Sequence, residues 1–338
     1  MPLAGPVSMP PARRMARYPR NVAESALGRG IRAVTAHLGA PMNTAELRLG
    51  LLGFGEAGQR FAADFVKAGL NNVIVYSRSA AAAGPDDALR RFAAEHGIEI
   101  AATPKELCKR ADLIIALTPG KAALPALRTV KRYLGKHHIY VDANTVGVKT
   151  IERIAKLLEG RCTFVDAAIM GPVPLDGIKA PILASGADAA RFRDLVAPYG
   201  MTVQLVGDKA GGASAMKLLR SVCMKGLAGL LLESLEAAQR CGVRDALAAD
   251  MASFINDRPF EQIIKRFVCG TAVHAGRRIH EMADSLELLK SVGAPTRMTR
   301  ATQAMFKELI TMKMPERYNG KEPDTIEPVI SALIAERG

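Results

Sequence analysis

From residue 47 onward, short apolar runs alternate with segments whose apolar positions recur every three to four residues. The runs predict strands buried on both faces, and the longer period predicts helices covering them. Strands are expected at 47–52, 73–76, 99–102, 111–117, 138–141, 163–168, 182–185 and 203–206. Between them a helical pattern with Phe61 and Phe65 four apart ends at Gly69, and further helices are expected at 87–95, 104–110, 149–158 and 189–197. After Gly207 the period becomes helical and stays so, over 213–240, 245–256, 259–267, 271–292, 296–312 and 327–336. The middle of the first of these, Gly226–Leu232, is apolar on every side, which predicts a helix buried all round. The pattern as a whole predicts an α/β fold: a parallel-sheet domain over 47–208, then an all-α domain over 209–338, with the long helix between them.

Residues 1–46 lack this periodicity and are rich in Pro, Ala and Arg. A disordered extension is expected there; a targeting role and a translation start at Met42 both stay open. The rest of the composition narrows the class. No apolar run reaches the ~18 residues of a membrane span, which argues against a membrane protein. The net charge of +13 includes six arginines against one glutamate in residues 1–41. No basic stripe interleaved with aromatics accompanies the remainder, so nucleic acid is not the expected partner. A positive field around an anionic cofactor and a small anionic substrate accounts for it. The five cysteines (108, 162, 223, 241 and 269) show no C-x-x-C spacing, which predicts a cytoplasmic, reducing setting without disulfides or a structural metal.

The first chemical signal is Gly53-Phe54-Gly55-Glu56-Ala57-Gly58, between the first strand and the first helix. This is the G-x-G-x-x-G spacing of a Rossmann dinucleotide site. Gly53 permits the tight turn, Gly55 lets backbone approach a pyrophosphate, and Gly58 lets helix pack on strand. The anion would rest on free N–H groups at the helix N-terminus. The end of the second strand chooses the cofactor. An acid there would bind the ribose 2′-hydroxyl, but the stretch reads Ser77-Arg78-Ser79, with Arg78 twenty residues past Gly58. Two hydroxyls beside a guanidinium favour the 2′-phosphate of NADP, with NAD the alternative. Open α/β sheets bind ligands at the carboxyl ends of their strands, so Thr118, Pro119, Asn144 and Thr145 are expected beside the nicotinamide.

The second signal is Lys217, in the first turns of the long helix. Lys217, Ser221, Met224 and Lys225 share a face, and burial lowers the proton affinity of an ammonium. On spacing alone, such a lysine is as readily structural as catalytic. The glycine fingerprint, Val141-Asp142-Ala143-Asn144-Thr145, Asp166-Ala167-Ala168-Ile169-Met170-Gly171, the segment from Gly212 to Lys217, and Glu233 together resemble the β-hydroxyacid dehydrogenase superfamily. That superfamily includes 3-hydroxyisobutyrate and 6-phosphogluconate dehydrogenases. The resemblance spans about residues 47–310. It implies a homodimer, NADP- or NAD-linked hydride transfer on a hydroxy acid or its carbonyl form, and Lys217 as general acid/base with Ser221 beside it.

Three departures from the family pattern bear on substrate. Met170-Gly171-Pro172 stands where Ser-Gly-Gly usually holds a carboxylate, leaving Gly171 to supply an N–H. Ser221 stands for an asparagine, and Asn144 for a serine. The head group is therefore expected to be anchored elsewhere, with His274, Arg277, Arg278 and His280 as candidates. A solvated face, with Glu281 paired internally, is the alternative for these four. Imine reduction, oxidative decarboxylation and a non-catalytic NADP-binding module are the rival functions.

Overall fold

The computed structural model describes residues 47–338. The expected extension over 1–46 and the Met42 start lie outside the described residues. Eight strands form one sheet: β1 (Leu49–Leu52), β2 (Val73–Tyr76), β3 (Glu99–Ile100), β4 (Leu113–Ala116), β5 (Ile139–Asp142), β6 (Thr163–Ile169), β7 (Ile182–Ser185) and β8 (Val203–Leu205). Their order is 3-2-1-4-5-6-7-8. Every expected strand is present; β1, β4, β5 and β7 are buried along their whole length, whereas β3 and β8, at the two edges, are largely exposed.

The sheet departs from a fully parallel one at a single pairing, β6 against β7, which is antiparallel. The link over 170–181 contains only short helical turns. A parallel return needs a crossover, usually built on a full helix, so the chain folds back beside β6 instead. The remaining pairings are parallel. The strand order reverses between β1 and β4, and this opens the crevice in which such sheets take ligands.

The sheet half carries α1 (Glu56–Lys67), α2 (Arg78–Ala82), α3 (Ala88–Glu95), α4 (Pro104–Arg110), α5 (Ala123–Val130), α6 (Val148–Leu158), α7 (Val173–Asp176) and α8 (Ala189–Val196). Of these α2, α5 and α7 were not expected. Pro125 sits in the first turn of α5, where its missing N–H costs nothing. α4 has the expected signals: Pro104 opens it, and the Thr103 hydroxyl accepts the Glu106 N–H at 3.2 Å.

The helical half comprises α9 (Gly212–Arg240), α10 (Arg244–Asn256), α11 (Phe260–Ser291), α12 (Arg297–Thr311), α13 (Met314–Arg317) and α14 (Glu327–Arg337). Two expectations are corrected here. The helices expected at 259–267 and 271–292 form one run, α11, kinked at His274 where φ is −107° and ψ is 20°. The middle of α9 is not buried all round. Leu227, Leu230 and Leu232 are exposed, because α9 packs on β6, β7 and α6 near its start and on α10 and α12 farther on, leaving one side uncovered. A smaller core of Cys269, Ala272, Leu309, Met314 and Val329 joins α11 to α12, α13 and α14. No described helix is long and apolar enough to cross a membrane.

Candidate active site

The turn from β1 into α1 is built on glycine. Gly53 has a φ of +122°, and a Cβ there would lie 2.3 Å from the Leu117 carbonyl oxygen. A Cβ on Gly58 would lie 2.2 Å from the Gly53 carbonyl oxygen. These two glycines let strand, turn and helix approach closely. Gly55 is different: nothing stands within 4 Å of where its Cβ would be. No side chain caps α1, so its first N–H groups, over Glu56, Ala57 and Gly58, have no capping partner beside that open space.

A cavity of about 670 Å³ runs from this turn between the ends of β2 and β4. Of the expected cofactor residues, Gly53, Phe54, Gly55, Ser77, Arg78, Ser79, Thr118 and Pro119 line it, whereas Glu56, Ala57, Gly58, Asn144 and Thr145 do not. Ser77 caps α2 by accepting the Ala80 N–H at 3.0 Å, and its oxygen lies 3.1 Å from that of Ser79. Arg78 has no side-chain partner among the described residues. The opposite wall is Pro125, Ala126 and Thr129 of α5, which sequence reading missed together with the helix. An open glycine edge, an uncapped helix start, an unpaired guanidinium and an apolar wall fit a nicotinamide dinucleotide.

Asn144 and Thr145 act one step away. The Asn144 Oδ1 accepts the Thr118 N–H at 2.5 Å and its hydroxyl at 3.2 Å, tying the end of β4 to the end of β5. The Asn144 N–H donates to Asp142 Oδ1 at 3.1 Å, while Asp142 Oδ2 and Asn144 Nδ2 are buried without partners among the described residues. Burial pushes the Asp142 carboxyl up to about 6, against the pull of the Asn144 hydrogen bonds and with a further push from the Asp166 charge.

Lys217 reaches this junction from the other side, its Nζ donating to Thr145 Oγ1 at 2.7 Å. Burial lowers its proton affinity, and the nearby Arg220 charge lowers it further. Asp166 sets the position of Lys217. Its buried Oδ2 accepts the Ser185 hydroxyl at 2.9 Å and the Gly211 and Ser214 N–H groups at 3.0 Å each. Its Oδ1 accepts the Ser214 hydroxyl at 2.6 Å. Ser185 Oγ in turn accepts the Ala213 N–H at 3.0 Å. One carboxylate thus fastens the start of α9 to β6 and β7, satisfying N–H groups the helix cannot use and complementing its dipole. Lys217 follows Ser214 by less than one turn.

Lys217, Ser221, Met170 and Gly171 line a second cavity, of about 290 Å³, with Arg220, Met224 and Lys225. The face expected from helical spacing is therefore the wall of one cavity. Arg220 was not singled out from the sequence; its Nη1 donates to the Met170 carbonyl at 3.2 Å. The C-terminal candidates are not brought to this cavity. Arg277 pairs with Glu281 at 2.7 Å, Arg278 is hydrogen-bonded to Thr271, and His274 lies 3.5 Å from Glu322. Neither these residues nor His280 line the cavity.

Residues 48–204 match the NAD binding domain of 6-phosphogluconate dehydrogenase, and residues 238–309 match a domain of unknown function, DUF1932. The chain is 30% identical over 266 residues to an uncharacterized 28.5 kDa protein of Methanothermus fervidus, covering 78% of this chain and 99% of that one. A solved conserved protein of unknown function, described as structurally similar to 3-hydroxyacid dehydrogenases, is 30% identical with a TM-score of 0.55, covering 78% of this chain and 96% of that one. The fold also extends to imine reductases. That from a Pseudomonas species is 21% identical with a TM-score of 0.63, covering 85% of this chain and 99% of that one. That from Myxococcus stipitatus, in complex with NADP⁺, is 18% identical with a TM-score of 0.62, covering 82% of this chain and 98% of that one.

Proposed function

This chain belongs to the β-hydroxyacid dehydrogenase superfamily, and on that premise we propose that it interconverts a small anionic hydroxy acid and its carbonyl form with NADP(H). That it is a nicotinamide-binding protein of the dehydrogenase/reductase class follows from the family. The finer reading rests on one observation. Lys217 lines the pocket beside Met170 and is bonded to Thr145, next to the Asn144 that holds Thr118 of the cofactor cavity.

When bound, the nicotinamide supplies or accepts a hydride at the carbonyl carbon. The chain's residues do the rest. In reduction, Lys217 Nζ donates a proton to the carbonyl oxygen as that oxygen gains charge; in oxidation it takes the proton back. Its lowered proton affinity brings the ammonium and amine forms closer in energy, which suits exchange in both directions. Ser221, one turn on, hydrogen-bonds the same oxygen or its neighbour, and the Gly171 N–H holds a polar substituent. Thr145 keeps the lysine aimed at the sheet edge. Arg78, with Ser77 and Ser79, favours the 2′-phosphate.

In this reading residues 47–208 hold cofactor, 209–338 complete the substrate site, and the chain works as a cytoplasmic homodimer. The uncovered side of α9 supports the dimer: Leu219, Val222 and Leu232 are 67%, 71% and 74% exposed, an apolar surface of the kind a second subunit covers. Imine reduction is the second reading, since the same lysine can serve a C=N bond. The cavity's charge disfavours it. Lys217, Arg220 and Lys225 line it without an acid, which repels an iminium and attracts an anion. Replacement of Lys217 by Met should leave NADPH affinity unchanged and lower kcat by about 10²–10⁴, measured by NADPH oxidation across oxo acids and cyclic imines. Unchanged turnover would remove Lys217 from the chemistry.

A further inference from the structure

The turn after β6 has lost much of what could hold a carboxylate. Met170 carries no hydroxyl and Pro172 has no N–H. The structure supplies a cation at the same place. We propose that Arg220 is the anchor of the substrate carboxylate, so that the substrate is an oxo or hydroxy acid held by a guanidinium on α9 rather than by the β6–α7 turn. This rests on the reading of Lys217 as the proton donor, because it places the carbonyl at Lys217 and the carboxylate three residues farther along the helix.

Four observations carry it. Arg220 and Lys217 are three apart on one helix and line one cavity, so their head groups face a common volume. The Arg220 Nη1 is held by the Met170 carbonyl at 3.2 Å, which restrains the guanidinium against the altered turn. That bond uses one of five N–H donors, and a planar fork remains for two parallel bonds to a carboxylate. Finally, Arg220 has no acidic partner among the described residues, whereas Arg48, Arg110 and Arg337 are each paired with a carboxylate. Lys225 adds charge to the cavity but offers a mobile point charge in place of a planar fork.

The test separates anchoring from turnover. Malonate, a dicarboxylate that cannot be reduced, is titrated calorimetrically into the full-length chain with and without saturating NADPH, beside malonamide and inorganic phosphate. Malonate is expected to bind. Arg220→Gln should weaken it at least tenfold, and Arg220→Lys should weaken it several-fold by losing the fork while keeping the charge. NADPH affinity and melting temperature serve as the folding controls. Full retention of malonate affinity in Arg220→Gln overturns the proposal, as does absence of malonate binding in wild type. Malonamide binding as well as malonate, or phosphate binding more tightly, overturns the carboxylate assignment. Lys217→Met should lose turnover and weaken malonate less than Arg220→Gln does, because it removes a point charge and keeps the fork. Arg220-dependent malonate binding in a chain that reduces no carbonyl would refute the proposed reaction and leave the anchor standing.

Discussion

The sheet half and the helical half differ in how far one chain can complete them. β1, β4, β5 and β7 are buried from end to end, and the glycines, Asn144 and Thr145 at their carboxyl ends are held by neighbours in the same chain. In the helical half, α10 has no buried residue, and α9 turns Leu219, Val222 and Leu232 outward. A strand run acquires both covering layers from the crossovers that connect it. A helix that is apolar on all sides needs neighbours all round, and short connections within one chain do not supply them.

The contrast can be broken most directly at the uncovered side. The wild-type chain should sediment as a dimer, and Val222→Glu with Leu232→Glu should weaken association by roughly a hundredfold or more by placing charge in the contact core. The sheet half should remain folded and bind NADPH as before. A monomeric wild type at micromolar concentration would show that another partner covers α9.

Next in size is the clamp that joins the halves. Asp166→Asn replaces an acceptor of four hydrogen bonds by a group that can accept only some of them. It should destabilise the chain by about 2–4 kcal/mol in a denaturant titration and lower kcat by displacing Lys217. A loss of stability with unchanged kcat would mean that the clamp supports the fold but not the lysine. Smaller again, Arg78→Ala should weaken NADPH about tenfold and leave NADH unchanged, which fluorescence titration resolves.

The least of the effects distinguishes the halves by pH. The Asp142 carboxyl, on β5, is raised from about 3.8 to about 6. Its folded form holds the proton more tightly, so its contribution is full below pH 4 and is lost as pH rises through 6. Glu233, in the helical half, is displaced the other way. Burial pushes it up, but the Thr299 hydroxyl and the N–H groups at the start of α12 outweigh that. Its contribution is present above the unfolded carboxylate pKa and fades as pH falls through the folded one. Asp142→Asn should therefore flatten the fall in stability between pH 4 and 6, and Glu233→Gln should reduce acid sensitivity below that range. Identical pH profiles for both variants would show that neither buried acid titrates as described.

Much of this was legible from single residues. The eight apolar runs fixed eight strands, and the glycine spacing located a turn in which two of three glycines admit no Cβ. Lys217, Ser221, Met224 and Lys225 were grouped by helical period alone and do share a cavity. What escaped depended on partners distant in sequence. Asp166 looked like one more strand residue, because its four donors come from segments 19 to 48 residues away. Arg220 carried no signal until the Met170 carbonyl was placed beside it. His274 sat in a pattern that continued on both sides, and the kink shows only in its backbone angles. An apolar helix reads the same in sequence whether its own chain or another covers it.

The Asp166 clamp has a mechanical consequence. At about 1.5 Å per residue, Lys217 lies about 5 Å beyond Ser214, while Arg240 lies about 40 Å beyond it. A 10° swing of α9 about its fastened end would carry the far end by about 7 Å and the lysine by less than about 1 Å. The helix is a lever with its fulcrum at the chemistry. The proton donor, placed next to the fastened end, is the part of the helix that a tilt of the outer arm displaces least.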